Sequence, residues 1–266
     1  MSKLDPNDIK KYLKTKDIGS EIVYFETLDS TNNYAKEIAK KSPHGLVIIA
    51  NEQTGGRGRL GRSWFTSKGK NISMTIILKP DIHPTEAMKM TQIAIAAMVV
   101  AVRELTGLHT LVKWPNDLLI ENKKIAGILT EMVANANKID YLIIGMGINV
   151  NTKIFPKEIE DMASSLALFK GADIDRQKLI IKILEEFEKL YLDYIKKGDL
   201  DKSLDIVRKY SAILDKDIYI IKGQDRYKAR AVDIDHSGVL KVKHIDGREE
   251  FLHSGEVSIR GKATYI

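Results

Sequence analysis

Apolar and polar positions along the chain follow two periods, and the change from one to the other marks the elements. The first twenty residues read as a short amphipathic helix and a lead-in. A strand is predicted at 21–25. The run Leu28-Asp29-Ser30-Thr31-Asn32 then opens a helix to about Lys41, because the oxygens of Asp29, Ser30 and Thr31 suit the orphan amides of a first turn. Residues 45–50 (GLVIIA) form a fully apolar strand. After a loop rich in arginine and glycine comes a second strand, 72–78, ended by Lys79-Pro80. Between 85 and 106 the apolar positions Met88, Ile95, Met98, Val99 and Val102 recur at helical spacing, with Gly107 as the stop. The stretch 110–147 reads as a meander of three strands, LVKW, KIAGILTEM and YLIIGMG, with breaks at Asn116-Asp117 and Glu121-Asn122-Lys123. Residues 176–197 return to helical spacing through Leu179, Ile183, Phe187, Leu190 and Tyr194.

From about Asp215 short alternating segments follow one another, separated by Gly223, His236-Ser237-Gly238, Asp246-Gly247 and Ser254-Gly255. Such spacing predicts a small β-barrel. The expected organisation is therefore α+β: a central mixed or antiparallel sheet with flanking helices over 1–213, then a small barrel over 214–266.

Composition narrows the chemistry. The chain has 266 residues and no cysteine, which excludes thiolate metal sites, disulfides and cysteine nucleophiles. Its six histidines lack metal-ligand spacing. The longest apolar run, 93–102, is half of what a bilayer needs, about 20 residues. The polar N-terminus lacks an export signal, so no membrane partner and a cytoplasmic location are expected. A net charge of +6 favours acidic partners without choosing among them.

Three segments carry candidate chemistry. Residues 53–62, QTGGRGRLGR, put four glycines and three arginines into one loop. Glycine lets backbone approach a ligand closely, and arginine offers a planar fork for carboxylate or phosphate. A solvated basic hairpin tip is the bland alternative, but so many glycines are costly to order for decoration. The match of Gly56 to Gly61 to a dinucleotide fingerprint is rejected, because no helix follows it. In the second segment, Lys113-Trp114-Pro115-Asn116-Asp117-Leu118-Leu119, proline ends a strand beside a cation, a stacking surface and two polar groups. Lys124 lies near the start of the next strand, so a hairpin could bring both lysines to one site; a turn with exposed lysines is the alternative. The third segment, Gly145-Met146-Gly147-Ile148-Asn149, permits close backbone approach or merely a bulge.

Taken together, Ser30-Thr31-Asn32, GGRGRLGRSWFTSKGKN, KWPNDLL with KKIAGIL, and GMGINVN resemble in order and spacing the biotin protein ligases, over roughly residues 20–165. The C-terminal segment is similar to that family's SH3-like barrel, and the resemblance implies a class II synthetase-like catalytic fold. It implies ATP-dependent activation of biotin to biotinyl-5′-AMP, with Mg2+ accompanying ATP and no built-in metal site. Transfer to a lysine of a biotin carboxyl carrier protein then follows.

By that resemblance the catalytic residues are Lys124, Lys113, Arg59 and Asp117. Asp117 would orient a lysine or deprotonate the acceptor amine. Ser30, Thr31, Asn32, Gln53, Gly55, Arg57, Arg59, Lys124 and Gly127 would bind biotin. Arg57, Arg59, Arg62, Trp64, Lys113, Asn116, Ile148 and Asn149 would bind ATP. The arginine–glycine loop would fold over the adenylate and exclude water.

Bifunctional members carry a winged-helix module before the Ser-Thr-Asn motif; 29 residues precede Ser30 here, so no DNA partner is expected. A homodimer through the edge of the central sheet is expected from relatives. The alternatives are a lipoate or octanoate ligase of the same fold, and a non-catalytic biotin-binding regulator. A nucleic-acid module on the barrel is disfavoured, since Tyr219, Tyr227 and Phe251 are dispersed.

Overall fold

The computed structural model describes residues 4–253 and the backbone of 258–260. A seven-stranded mixed sheet forms its centre, in the spatial order β1 (Ile22–Phe25), β2 (Val47–Ala50), β3 (Ile72–Leu78), β7 (Ile139–Ile148), β6 (Lys123–Ala134), β5 (Asp117–Ile120) and β4 (Leu111–Lys113). β1 and β2 run parallel, and every other neighbouring pair is antiparallel.

Both faces of the sheet are covered, which is why β2 and β3 read as unbroken apolar runs. Val47, Ile49, Met74, Ile76 and Leu78 turn toward α3 (Ala87–Thr106) and α5 (Arg176–Lys197). Ile48, Ile77 and Ile143 turn toward α2 (Thr31–Ile38) on the other face. Each such fully buried side chain contributes about 1.5–3 kcal/mol.

Helix α3 is long and apolar enough to cross a membrane. Here it is a core helix: residues 93–99, 101 and 102 are buried between the sheet and α5, as the ten-residue run suggested. Its N-terminal part begins two residues later than expected, and it stops before Gly107. Helix α1 (Pro6–Tyr12) and α5 match their expected places. The Glu188 carboxylate on α5 accepts backbone N–H bonds from Lys16, Asp17 and Ile18 at 2.8, 2.7 and 2.9 Å, tying the lead-in to the core.

Two expectations need correcting. The meander at 110–147 has four strands, because Asp117–Ile120 pairs with strands on both sides and is not a mere break. Helices α4 (Leu166–Lys170) and α6 (Asp201–Lys209) also went unread, being short segments in polar surroundings.

The C-terminal strands β8 (Asp217–Lys222), β9 (Asp225–Ile234), β10 (Leu240–Lys243), β11 (Glu249–Leu252) and β12 (Ser258–Arg260) form an antiparallel sheet in the order β11-β10-β9-β8-β12. The turn expected at Ser254-Gly255 lies outside the described residues. Buried Ile218, Ile220, Ala231 and Leu240 continue the core that α3 anchors. A buried hydrogen bond of 2.9 Å from the Trp114 indole to the Gly238 carbonyl joins the two sheets.

Candidate functional site

Four chain segments converge on one cavity of about 320 Å3. Its floor begins with the β4–β5 hairpin, where Lys113 and Asp117 are cross-strand partners. β6 returns beside β5 through a bulge at Leu118/Leu119, and this brings Lys124 to the same wall. The Lys124 Nζ lies 2.7 Å from the Asp117 Oδ1 and 5.3 Å from the Trp64 ring centre. Asn116 is held on both sides of Ile128: its Nδ2 donates to the Ile128 carbonyl at 2.8 Å, and its own carbonyl accepts from Ile128 N at 2.9 Å.

β7 supplies the back wall. In its period-2 alternation Gly145, Gly147 and Asn149 fall on the site side, while Ile148 points into the core. The bare backbone matters here. A methyl group on Gly147 would stand 2.5 Å from the Trp64 ring, and one on Gly145 would collide with the Asn32 Oδ1. The Asn149 Oδ1 is buried without a hydrogen-bond partner on this wall.

Helix α2 closes a third side. Ser30 caps it, accepting from Asn33 N. Thr31 donates both its backbone N–H and its hydroxyl to the Gln53 Oε1, at 2.8 and 3.0 Å. That leaves the Gln53 Nε2 as the end able to donate elsewhere. Asn32 donates to the Glu131 carboxylate at 2.9 Å, and Thr75 Oγ1 donates toward the Thr31 Oγ1 and Asn32 Oδ1, each 2.7 Å away. Burial pushes the Glu131 carboxyl up, but hydrogen bonds from Lys36 and Asn32 and the charges of Lys36 and Arg57 outweigh it and hold the group below the usual range.

The arginine–glycine loop forms the roof. It is a narrow hairpin tip, with Gly58 N bonded to the Arg62 carbonyl and Arg57 bridged to Ser63. Arg57 Nη1 donates to Asn33 Oδ1 at 3.0 Å and lies 3.4 Å from Glu131. The Arg59 Nη1 donates to the Asn116 Oδ1 at 2.8 Å, fastening roof to floor.

Of the expected site residues, the cavity wall contains Ser30, Thr31, Asn32, Gln53, Arg57, Arg59, Arg62, Trp64, Lys113, Asn116, Asp117, Lys124, Gly127 and Asn149. Two expected residues lie off it. Gly55 is turned away, its N–H bonded to the Asp29 carbonyl. Ile148 is fully buried in the core, because strand alternation sends it to the opposite face from Asn149. One wall was missed. Phe155, Ile159, Met162 and Ala163 line the cavity, and Lys124 N donates to the Met162 carbonyl at 2.7 Å. Their apolar spacing of four, three and one residues was the available signal.

Chemically, the cavity is lined by cations from roof and floor, an aromatic ring and an apolar wall. That combination suits an acid with an apolar body meeting a polyphosphate. A sequence model of the biotin/lipoate A/B protein ligase family matches residues 24–149. The bifunctional ligase/repressor BirA of Bacillus subtilis is 36% identical over 260 residues, 97% of this chain and 79% of the relative. BirA of Escherichia coli is 26% identical over 242 residues, 91% and 75% of the two chains. The structure of biotin protein ligase from Aquifex aeolicus in complex with biotin and ATP superposes with a TM-score of 0.79, at 27% identity, over 90% of this chain and 98% of that one.

Proposed function

The chain belongs to the biotin/lipoate A/B protein ligase family, and from that premise we infer that its cavity performs biotin–protein ligation. The enzyme activates biotin with ATP to biotinyl-5′-adenylate and pyrophosphate. It then passes biotin to one lysine of a biotin carboxyl carrier protein.

In the first step a carboxylate oxygen of biotin attacks the α-phosphorus, and the bond to the departing pyrophosphate breaks. Two anions must meet, so fixed positive charge is the main lever available to the protein. Lys124 and Lys113 supply it from the floor, with Arg59 and Arg62 above. The 2.7 Å pairing with Asp117 holds the Lys124 ammonium at the wall. Gln53, its oxygen committed to Thr31, offers its Nε2 to the ureido carbonyl of biotin. Trp64, on the same wall, offers a face to adenine.

Among the described residues no three acidic or imidazole groups are gathered to hold a metal ion. On the family reading Mg2+ arrives with the triphosphate, where it would neutralise phosphate charge. The unpartnered Asn149 Oδ1 is a neutral oxygen able to face it. The finer parts of the proposal are a homodimer, a cytoplasmic location, no DNA or membrane partner, and functional units at 1–213 and 214–266.

One observation carries the reading: lysines 113 and 124 and arginines 57, 59 and 62, far apart in sequence, line a single hollow beside Trp64. The test is biotin-dependent exchange of labelled pyrophosphate into ATP, run beside lipoate and octanoate. Exchange with biotin alone is expected. Exchange with lipoate but not biotin overturns the choice of acid, and exchange with no acid overturns the enzyme reading.

A further inference from the structure

A second hollow, of about 240 Å3, adjoins the first between the start of α3 and the outer part of β6. The two share four wall residues, Arg59, Pro115, Asn116 and Ile128. A 2.8 Å hydrogen bond from the Arg59 guanidinium to the Asn116 side chain joins two of these shared residues. Asn116 is the fixed side of that bridge, since it is bonded twice to Ile128. The other side belongs to the roof. We propose that the second hollow is the port through which the acceptor lysine of the carrier protein reaches the adenylate, with Arg59 as its inner gate. The proposal rests on the biotin ligase reading.

The chemistry of the walls fits a lysine. Met88 and Met132 line the hollow with unbranched, adaptable side chains suited to a four-carbon stem. The Thr91 and Thr130 hydroxyls, 2.8 Å apart, satisfy one another and leave methyl groups for packing. Against about 30 Å3 for a water molecule, the volume accommodates that stem and its amine. The Arg59 cation at the shared wall disfavours an arriving ammonium, and so favours loss of the proton where the neutral amine is needed.

A separate port also resolves a conflict between the two steps. A mixed anhydride must be kept from water, so the roof stays down over the adenylate. The amine then has to enter from the side, where the Arg59 side chain alone swings off Asn116 while the backbone pairing of the loop is kept. Its lone pair forms the amide C–N bond at the acyl carbon. The bond from that carbon to the phosphate oxygen breaks, and AMP departs with the electron pair. The two protons that the ammonium sheds leave to water through the port.

Filling the port tests the proposal. Thr130→Trp lies outside the first cavity, so biotin-dependent pyrophosphate exchange is expected within twofold of the parent. Transfer from preformed biotinyl-5′-AMP to biotin carboxyl carrier protein is expected to fall at least tenfold, and transfer to n-butylamine to fall with it. Thr91→Ala, which widens the same hollow, is expected to leave exchange unchanged and to retain or raise both transfers. Parental transfer by a folded Thr130→Trp enzyme overturns the port. Loss with the carrier protein but not with n-butylamine overturns it too, showing a docking surface instead. Equal loss of exchange and transfer assigns the hollow to the first step. No exchange by the parent with any acid is failure of the ligase reading itself.

Discussion

On the floor of the cavity, Lys113, Trp114, Asn116 and Asp117 are each at most 8% exposed. They are held by strand pairing, by Ile128, and by the Trp114 bond to Gly238 of the second sheet. On the roof, the arginine–glycine loop leaves Leu60 64% exposed and the Arg57 side chain 43% exposed. An Arg59–Asn116 hydrogen bond of 2.8 Å ties its tip across the cavity to the floor. Both regions present cations to the same cavity, yet one is buried and strand-paired and the other largely exposed. Positive charge that must meet a developing negative charge belongs on the rigid side, where it needs no reorganisation during reaction. Charge that must admit one substrate, cover the intermediate and then release a product belongs on the side with little local stability.

The largest expected effect comes from the floor. Lys124→Ala removes a fixed cation and leaves the Asp117 carboxylate without its 2.7 Å partner. Adenylate formation is expected to fall by about 10²–10³, the usual loss for one preorganised group that stabilises developing charge. The melting temperature should change little, because the Lys124 side chain is 24% exposed and belongs to no core cluster. Pyrophosphate exchange beside a thermal melt checks both. A fall below tenfold would move the burden to the roof.

A roof substitution should act differently. Arg59→Gly breaks the fastening to Asn116 while the floor cations stay in place. Adenylate formation is expected to stay within about tenfold of the parent, since no strand contact is lost. Retention should suffer: biotinyl-5′-adenylate should appear free in solution, resolved by rapid filtration and chromatography. If variant and parent retain it equally, the roof is no lid and the contrast with the floor fails.

Floor and roof were both legible where a motif dictates the local backbone: Arg57, Arg59 and Arg62 line the cavity as expected. Pro115 after Trp114 dictates a strand end wherever it occurs, and Lys113, Asn116 and Asp117 reach the cavity as expected. Likewise, glycine at 145 and 147 signalled a close approach that the structure fills with Asn32 and Trp64. Illegible in the sequence were the contacts between distant segments. Nothing near Lys124 announces that Met162 will accept its backbone N–H, or that Phe155 and Ile159 will wall the cavity. Ile148 is linked to ATP by the resemblance alone, and strand alternation buries its side chain in the core, on the opposite face from Asn149.

Glu131 tethers the base of the roof, and its acid titration gives the smallest and finest test of the contrast. Its carboxylate gathers Lys36 at 2.5 Å, Asn32 at 2.9 Å and Arg57 at 3.4 Å. Burial raises its pKa, but these partners win and the folded value lies below that of a free glutamate, about 4.3. A depressed carboxyl stabilises the fold fully above the free value, and this stabilisation is lost as pH falls through the folded value. Because Lys36 and Arg57 are well exposed, the whole contribution is about 1 kcal/mol. Glu131→Gln should therefore melt slightly lower than the parent at pH 7, and the gap should close as pH falls through the folded value, below that of a free glutamate. Protease cutting within the arginine–glycine loop should follow the same curve, rising in the parent on acidification and staying flat in the variant. Parallel melting curves across that pH range would show that the carboxylate does not hold the roof, leaving the Arg59–Asn116 bond to fasten it.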